Sequence, residues 1–161
     1  DDSFSGHRIS FLNYQRNELK NEYSFNTNDG GAKLDFEFVV NPTDASARMD
    51  EKWTMEAISN IVDNAIKYTN EGYVHINTQP YELFTRIDIS DTGIGIPEVE
   101  QAQVFGRFYR SARNKHTEGV GIGLFLAREI ISQEGGYIKL SSDETGTTFS
   151  VFLPRGEILQ N

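Results

Sequence analysis

Residues 56–69 read Glu56-Ala57-Ile58-Ser59-Asn60-Ile61-Val62-Asp63-Asn64-Ala65-Ile66-Lys67-Tyr68-Thr69. Together with Trp53, the apolar residues Ile58, Ile61, Val62, Ala65 and Ile66 recur at helical spacing, and Asp50 stands where an N-cap is needed. The predicted helix therefore follows Asp50 and ends near Thr69, before the turn Asn70-Glu71-Gly72. On it Asn60, Asn64 and Lys67 fall at i, i+4 and i+7 and share one face. Two amides and a lysine beside an apolar stripe admit two readings. One is a solvated helix face. The other is a ligand set, because an asparagine oxygen can hold Mg²⁺ and a lysine can meet a phosphate as a point charge.

Upstream of this helix, Leu34, Phe36, Phe38 and Val40 alternate with Asp35, Glu37 and Val39, which predicts a strand with one buried face. Asn41 to Ser46 reads as a loop and Asn26 to Gly31 as a turn cluster. Ile9, Leu12, Leu19 and Tyr23 form a loose helical stripe, and Asp1 to Gly6 is a polar start expected to fray. Downstream, Tyr73 to Thr78 and Leu83 to Ser90 read as two strands joined through Pro80. A short helix is expected over Glu98 to Phe105, a polar mobile loop over Ser111 to Gly119, and a helix from Gly123 to Glu134 stopped by Gly135-Gly136. Tyr137 to Ser141 and Thr147 to Leu153 close the chain as strands around a turn at Gly146. Helices interleaved with mostly hairpin-linked strands imply an α+β architecture, with helices on one face of a sheet.

The 161 residues suit one domain with a normal core, which needs no disulfide or metal to hold it. The chain has no cysteine, which excludes disulfides, thiolate zinc sites and a cysteine nucleophile. No apolar run approaches the roughly 20 residues of a membrane span. No signal peptide is visible, and a cytoplasmic location without membrane contact is expected of this stretch, membrane anchoring of the parent protein being left open. A formal net charge of −9 lacks the basic footprint of a nucleic-acid binder. A phosphate ligand must then be held by backbone amides, a few placed cations and a metal ion.

Asp91-Thr92-Gly93-Ile94-Gly95-Ile96-Pro97 follows a predicted strand directly. Its glycines open backbone conformations closed to other residues and let a flat ligand approach. Ionised Asp91 is an acceptor only. Adenine presents a donor amine to it, whereas guanine presents an oxygen and would leave the carboxylate unpaired. An ordinary Asp-Gly turn is the competing reading. Gly119-Val120-Gly121-Ile122-Gly123-Leu124 opens a helix, where free amides make an anion site. No Gly-Lys-Ser/Thr follows, so it is not a Walker loop, and no strand closely precedes it as a dinucleotide fingerprint requires. Between the loops, Phe105, Phe108 and Tyr109 suit core packing that clamps the short helix, with Arg107 and Arg110 reaching for phosphate.

Taken in order, these pieces resemble the boxes of the histidine kinase catalytic domain, in the GHKL ATPase superfamily. Residues 56–69 look like the N box, Asp91 to Pro97 the G1 box, Phe105 to Arg110 the F box, and Gly119 to Leu124 the G2 box. Gly146-Thr147-Thr148-Phe149 resembles the closing G3 motif. The resemblance runs from about Asp50 to Pro154 and implies the Bergerat fold: a two-layer α/β sandwich, its mixed sheet backed by helices, with a flexible lid over ATP, here Ser111 to Thr117. Residues 31–161 are then the catalytic domain, and residues 1–30 a joint to a dimerisation and phosphoacceptor domain.

Carried onto this chain, the resemblance implies that Asn64 ligates Mg²⁺, that Asn60 and Lys67 lie near the phosphates, and that Tyr68 lies near the base or ribose. Asp91 would accept the adenine amine, with Gly93, Gly95 and Ile96 shaping the pocket and Thr148 beside it. Phe108 joins the nucleotide set, and Arg110 is the phosphate arginine, with Arg107 a second candidate. Gly119, Gly121 and Gly123 would hinge the lid and let amides meet the phosphates, and Val120, Ile122 and Leu124 join the nucleotide set. Asn60, Lys67 and Arg110 are the implied catalytic residues.

The implied activity is that of a protein-histidine kinase, which passes the γ-phosphate of Mg²⁺-ATP to a histidine on the dimerisation domain and serves a response regulator. In the hydrolytic relatives a glutamate four residues before the metal asparagine activates water. Here that position is Asn60, which cannot take a proton, and Glu56 is a further turn away, about 6 Å along the axis. A GHKL hydrolase and a non-catalytic nucleotide-binding docking module are the alternatives. His7, His75 and His116 do not fit the acceptor, which usually precedes an acidic residue near a helix start. The acceptor is expected in a separate domain, and this chain is expected to be a monomer.

Overall fold

Asp50 begins the element on which the site is built. In a computed structural model, which describes residues 6–8, 36–41, 43, 45–69, 71–107 and 123–155, its side chain accepts a hydrogen bond from Trp53 N at 3.1 Å. Helix α1 (Glu51–Lys67) follows and closes at Tyr68, whose N–H reaches Asn64 O. Its buried stripe comprises Thr54, Ala57, Ile58, Ile61, Val62, Ala65 and Ile66, the apolar members at the spacing that predicted the helix.

The strands are β1 (Gly6–Arg8), β2 (Phe36–Val40), β3 (Ser46–Arg48), β4 (Gly72–Pro80), β5 (Phe84–Asp91), β6 (Tyr137–Asp143) and β7 (Gly146–Pro154). The remaining helices are α2 (Glu98–Gln101) and α3 (Gly123–Gln133). Five strands form one sheet in the order β2-β4-β5-β7-β6. β2 runs parallel to β4 and every other pair is antiparallel, so the sheet is mixed. Alternation along β5 and β7 sends Ile87, Ile89, Phe149, Val151 and Leu153 to one face, where they share a core with the stripes of α1 and α3. Each such aliphatic side chain stabilises the fold by about 1.5–3 kcal/mol. The other face is polar at its centre: Ser90 bonds Thr148 across the strands, and Ser150 donates to Asp88. This is the two-layer α+β sandwich that the sequence implies.

Two short elements depart from expectation. Gly6 to Arg8 form a strand where the expected frayed start ends, and Ser46 starts a strand rather than ending a loop. The two pair antiparallel, Gly6 opposite Arg48. Three-residue strands show no alternation; tertiary partners define them. Here Ala47 and Met49 are fully buried and Thr85 donates its hydroxyl to Ser46 O at 2.7 Å. The short helix ends at Gln101, with turns continuing to Arg107. The helix expected over Ile9 to Tyr23, the turn at Asn26 to Gly31 and the lid lie outside the described residues.

The two long helices run antiparallel and are tied at one end. Glu134, just past α3, accepts from Asp50 N at 3.0 Å and from the fully buried Thr54 hydroxyl at 2.8 and 2.7 Å. Burial pushes the Glu134 carboxyl above its usual range, while the Thr54 and Asp50 donors pull it back. No helix among the described residues is long and apolar enough to cross a membrane.

Candidate functional site

Strand alternation places Asp91, the last residue of β5, on the core face, where it is only 8% exposed. Its Oδ1 accepts from Gly93 N at 2.9 Å and from Thr147 N at 3.2 Å. Its Oδ2 accepts from no described residue. Burial raises this carboxyl above the usual range, and the two N–H donors oppose that shift. A buried carboxylate with one oxygen open costs free energy until a donor reaches it.

The loop after Asp91 is pinned on both sides. Toward α1, Ile94 N donates to Tyr68 O at 3.3 Å, and a Cβ on Gly93 would lie 2.3 Å from that same oxygen. Toward the β6–β7 hairpin, Gly95 has φ +74 and a Cβ there would lie 1.9 Å from Asp143 O. Only glycine permits that conformation at that distance. Ile96 N donates to Ser142 Oγ at 2.8 Å, and Gln101 Nε2 donates to both Ile96 O and Ser142 O.

Along α1, Asn60 and Asn64 are half-buried and Lys67 is exposed. Asn60 Nδ2 is buried without a hydrogen-bond partner among the described residues. It belongs to a side chain facing the start of α3: a Cβ on Gly123 would lie 3.8 Å from Asn60 Cβ. Unpaired buried donors cost about 1–3 kcal/mol, and their retention calls for a partner. A phosphate oxygen fits that donor, and the first amides of the eleven-residue helix α3 open beside it. Asn64 is half-buried one turn further along α1, and a carboxamide oxygen fits Mg²⁺. No cluster of three His, Asp or Glu able to hold a metal occurs among the described residues. A metal here would lean on Asn64 and on the nucleotide's own phosphates.

The structure thus brings Asp91, Gly93, Gly95, Ile96 and Tyr68 to one loop, and Asn60 to the start of α3 with Gly123. Leu124 follows, 8% exposed in the core. Thr148 is corrected. It points to the opposite sheet face from Asp91 and bonds Ser90 Oγ at 2.9 Å, whereas Thr147, 5% exposed, lies beside the Asp91 carboxylate. The reason is the two-residue period of β7. Phe105 packs edge-on against Phe149 at 5.9 Å, the core role expected of it. Arg107 lies with its guanidinium 5.2 Å from the Phe125 ring centroid. Phe108, Arg110, Gly119, Val120, Gly121 and Ile122 lie outside the described residues. Thr147, Ser142 and Gln101 contact this loop or its carboxylate, and the sequence reading gives none of them a place there. Only strand phase could have pointed to Thr147, and no sequence signal marks the other two.

The arrangement offers an acceptor for a base, an amide donor and helix amides for phosphate, and an amide oxygen for a cation. A family profile described as "Histidine kinase-, DNA gyrase B-, and HSP90-like ATPase" matches residues 49–157. Sensor protein SrrB of Staphylococcus aureus is 34% identical over 146 residues, covering 87% of this chain and 24% of that protein. Sensor histidine kinase WalK of Bacillus subtilis is 36% identical over 129 residues, covering 75% of this chain and 21% of that protein. The chain therefore spans about a quarter or less of the length of these relatives. Among solved structures, the catalytic domain of histidine kinase ThkA superposes with TM-score 0.76 at 26% identity, covering 95% of this chain and 96% of that one. A mycobacterial sensor histidine kinase, MprB, does so with TM-score 0.76 at 23% identity, covering 96% and 99%.

Proposed function

The chain belongs to the histidine kinase-, DNA gyrase B- and HSP90-like ATPase family, and from that premise we propose that it is the catalytic domain of a sensor histidine kinase, binding Mg²⁺-ATP and donating the γ-phosphate to a histidine on a separate dimerisation domain. The observation that carries the reading is Asp91: a buried carboxylate, held at Oδ1 and open at Oδ2, at the start of a loop whose glycines pack against Tyr68 O and Asp143 O. Its open oxygen suits the adenine amine. The unpaired Asn60 Nδ2 and the first amides of α3 suit the phosphates, and the resemblance adds Lys67, Arg110 and residues 119–123 to that set. Bound Mg²⁺ would neutralise charge on the phosphates, with Asn64 holding it.

Transfer to histidine rather than to water follows from Asn60. A carboxamide cannot remove a proton from water, so this chain positions ATP and leaves the nucleophile to a partner. The dimerisation domain and a response regulator are the proposed partners. The relatives named above, both sensor proteins, support that context.

The test is incubation with γ-labelled ATP and Mg²⁺, with and without the dimerisation domain of a sensor histidine kinase. The expected result is label on the supplied histidine and none on this chain. Steady release of inorganic phosphate would favour a hydrolase. Absence of ATP binding would leave a docking module.

A further inference from the structure

Asp91 is oriented by two N–H donors that sit on different segments: Gly93 in the loop after β5, and Thr147 in β7. The carboxylate keeps both bonds only while those segments keep their separation. One side chain bridges them. Ser142, near the end of β6, accepts from Ile96 N at 2.8 Å and lies 2.7 Å from Thr147 Oγ1. Gln101 reinforces the bridge from α2, donating to Ile96 O at 2.8 Å and to Ser142 O at 3.2 Å. Ser142 is half-buried, and no step of the proposed reaction uses it.

Building on the reading of Asp91 as the base ligand, we propose that Ser142 is the positioning residue of the base pocket, acting through Ile96 and Thr147 to set the angle of the Asp91 carboxylate and so its selectivity for adenine. The hydroxyl suits the task because one oxygen both accepts and donates. It takes the Ile96 proton and still exchanges a hydrogen bond with Thr147. Alanine at 142 would leave the Ile96 N–H and the Thr147 hydroxyl without that partner. The loop would then be free to shift against β7, with Asp91 losing one donor or turning away from the ligand. Threonine at 142 keeps the hydroxyl and suits a strand.

The experiment measures ATP and GTP affinity by calorimetry, and thermal midpoint, for the full chain and for Ser142→Ala, Ser142→Thr, Gln101→Ala and Asp91→Asn. The expected result for Ser142→Ala is a roughly five- to thirtyfold weaker ATP affinity, the effect of one or two hydrogen bonds. GTP affinity should change less than about threefold on the same grounds, so selectivity falls. Ser142→Thr should restore the ATP value. Gln101→Ala should lower selectivity in the same direction, which keeps the proposal testable if Ser142→Ala does not fold. In an Asp91→Asn background Ser142→Ala should add little, because both act on one group. Loss of both nucleotides in equal proportion, or a lower thermal midpoint with selectivity intact, would overturn the proposal and leave Ser142 a structural residue. Weakened ATP binding in Asp91→Asn beside an unaffected Ser142→Ala refutes the Ser142 role alone. Unchanged ATP binding in Asp91→Asn removes the base-pocket reading and this proposal with it.

Discussion

Replacing Asp91 by asparagine probes the site at its most constrained atom. The side chain is buried and its Oδ1 receives Gly93 N and Thr147 N. Asparagine keeps an oxygen at that position, so both backbone bonds survive and the loop holds its shape. The change falls on the open position, where an acceptor oxygen becomes an NH₂ donor. The adenine amine then meets a donor. Losing a hydrogen bond to a charged acceptor costs about 1.5–3 kcal/mol, and leaving a donor unpaired costs about 1–3 more. Together these come to about 2.5–6 kcal/mol, roughly seventyfold or more in Kd. Guanine offers an oxygen at the same place, so the ratio of ATP to GTP affinity should fall further still. Titration calorimetry with a non-hydrolysable ATP analogue and with GTP, each with Mg²⁺, reads both effects, and thermal unfolding checks the fold. The pH dependence has a definite sign. Burial raises the Asp91 carboxyl, so its contribution to stability is greatest below 3.8 and declines as pH rises through the raised value. ATP affinity runs the other way, falling as pH drops through that value, because a protonated Oδ2 is a donor. The asparagine variant should show no such fall. An ATP affinity within threefold of the parent's at an unchanged melting temperature would refute the assignment of the base to Asp91.

Asn60→Ala should separate stability from function: removing an unpaired buried amide should leave the melting temperature level or raise it by up to about 1 kcal/mol equivalent, while ATP affinity drops at least about fivefold. A variant that melts lower but binds ATP normally would contradict this. Glu134→Ala strands the Asp50 N–H and the buried Thr54 hydroxyl, at a cost of about 2–4 kcal/mol, which for a chain of this size lowers the melting temperature by roughly 5–15 °C. Glu134→Gln should stay near the parent at neutral pH. It should also lose the parent's decline in stability as pH rises from 4.5 through the raised Glu134 value; equal melting of the two variants across that range would count against the clamp. Gly95→Ala forces a left-handed φ of +74 and a Cβ 1.9 Å from Asp143 O, so it should cost about 3 kcal/mol or more. Urea unfolding measures that loss, and a loss below about 1 kcal/mol would mean the loop moves freely.

The long elements were legible because each carries its own signal. Asp50 caps the helix it was expected to cap, and the alternation of Thr85, Ile87 and Ile89 marks a core-facing strand without reference to any partner. Elements whose existence depends on a neighbour were not. Nothing in Gly6-His7-Arg8 announces a strand, since its pairing with Ser46 to Arg48 is its only definition. At the site, the residue types in the glycine loops could be read, but the phase of β7 could not. Two adjacent threonines look alike in sequence, and only the strand's register separates Thr147 at the carboxylate from Thr148 on the far face. Ser142 and Gln101 lay beyond reach for another reason. They act by joining segments distant in the chain, and a serine in a strand or a glutamine in a short helix has no motif to betray it.

The Glu134 contact has a consequence at the opposite end of the helix pair. Because that carboxylate decides which residue of α3 lies against the start of α1, it works as the zero mark of a ruler. Gly123 is read off that ruler eleven residues away, about 16 Å at 1.5 Å per residue. The distance from Asn60 to the amides that open α3 is therefore written in a residue count. A single insertion anywhere between Gly123 and Glu134 would slide the start of α3 by about 1.5 Å and turn it by roughly 100°, with every named side chain still present. The length of this stretch therefore matters alongside the identity of its buried residues.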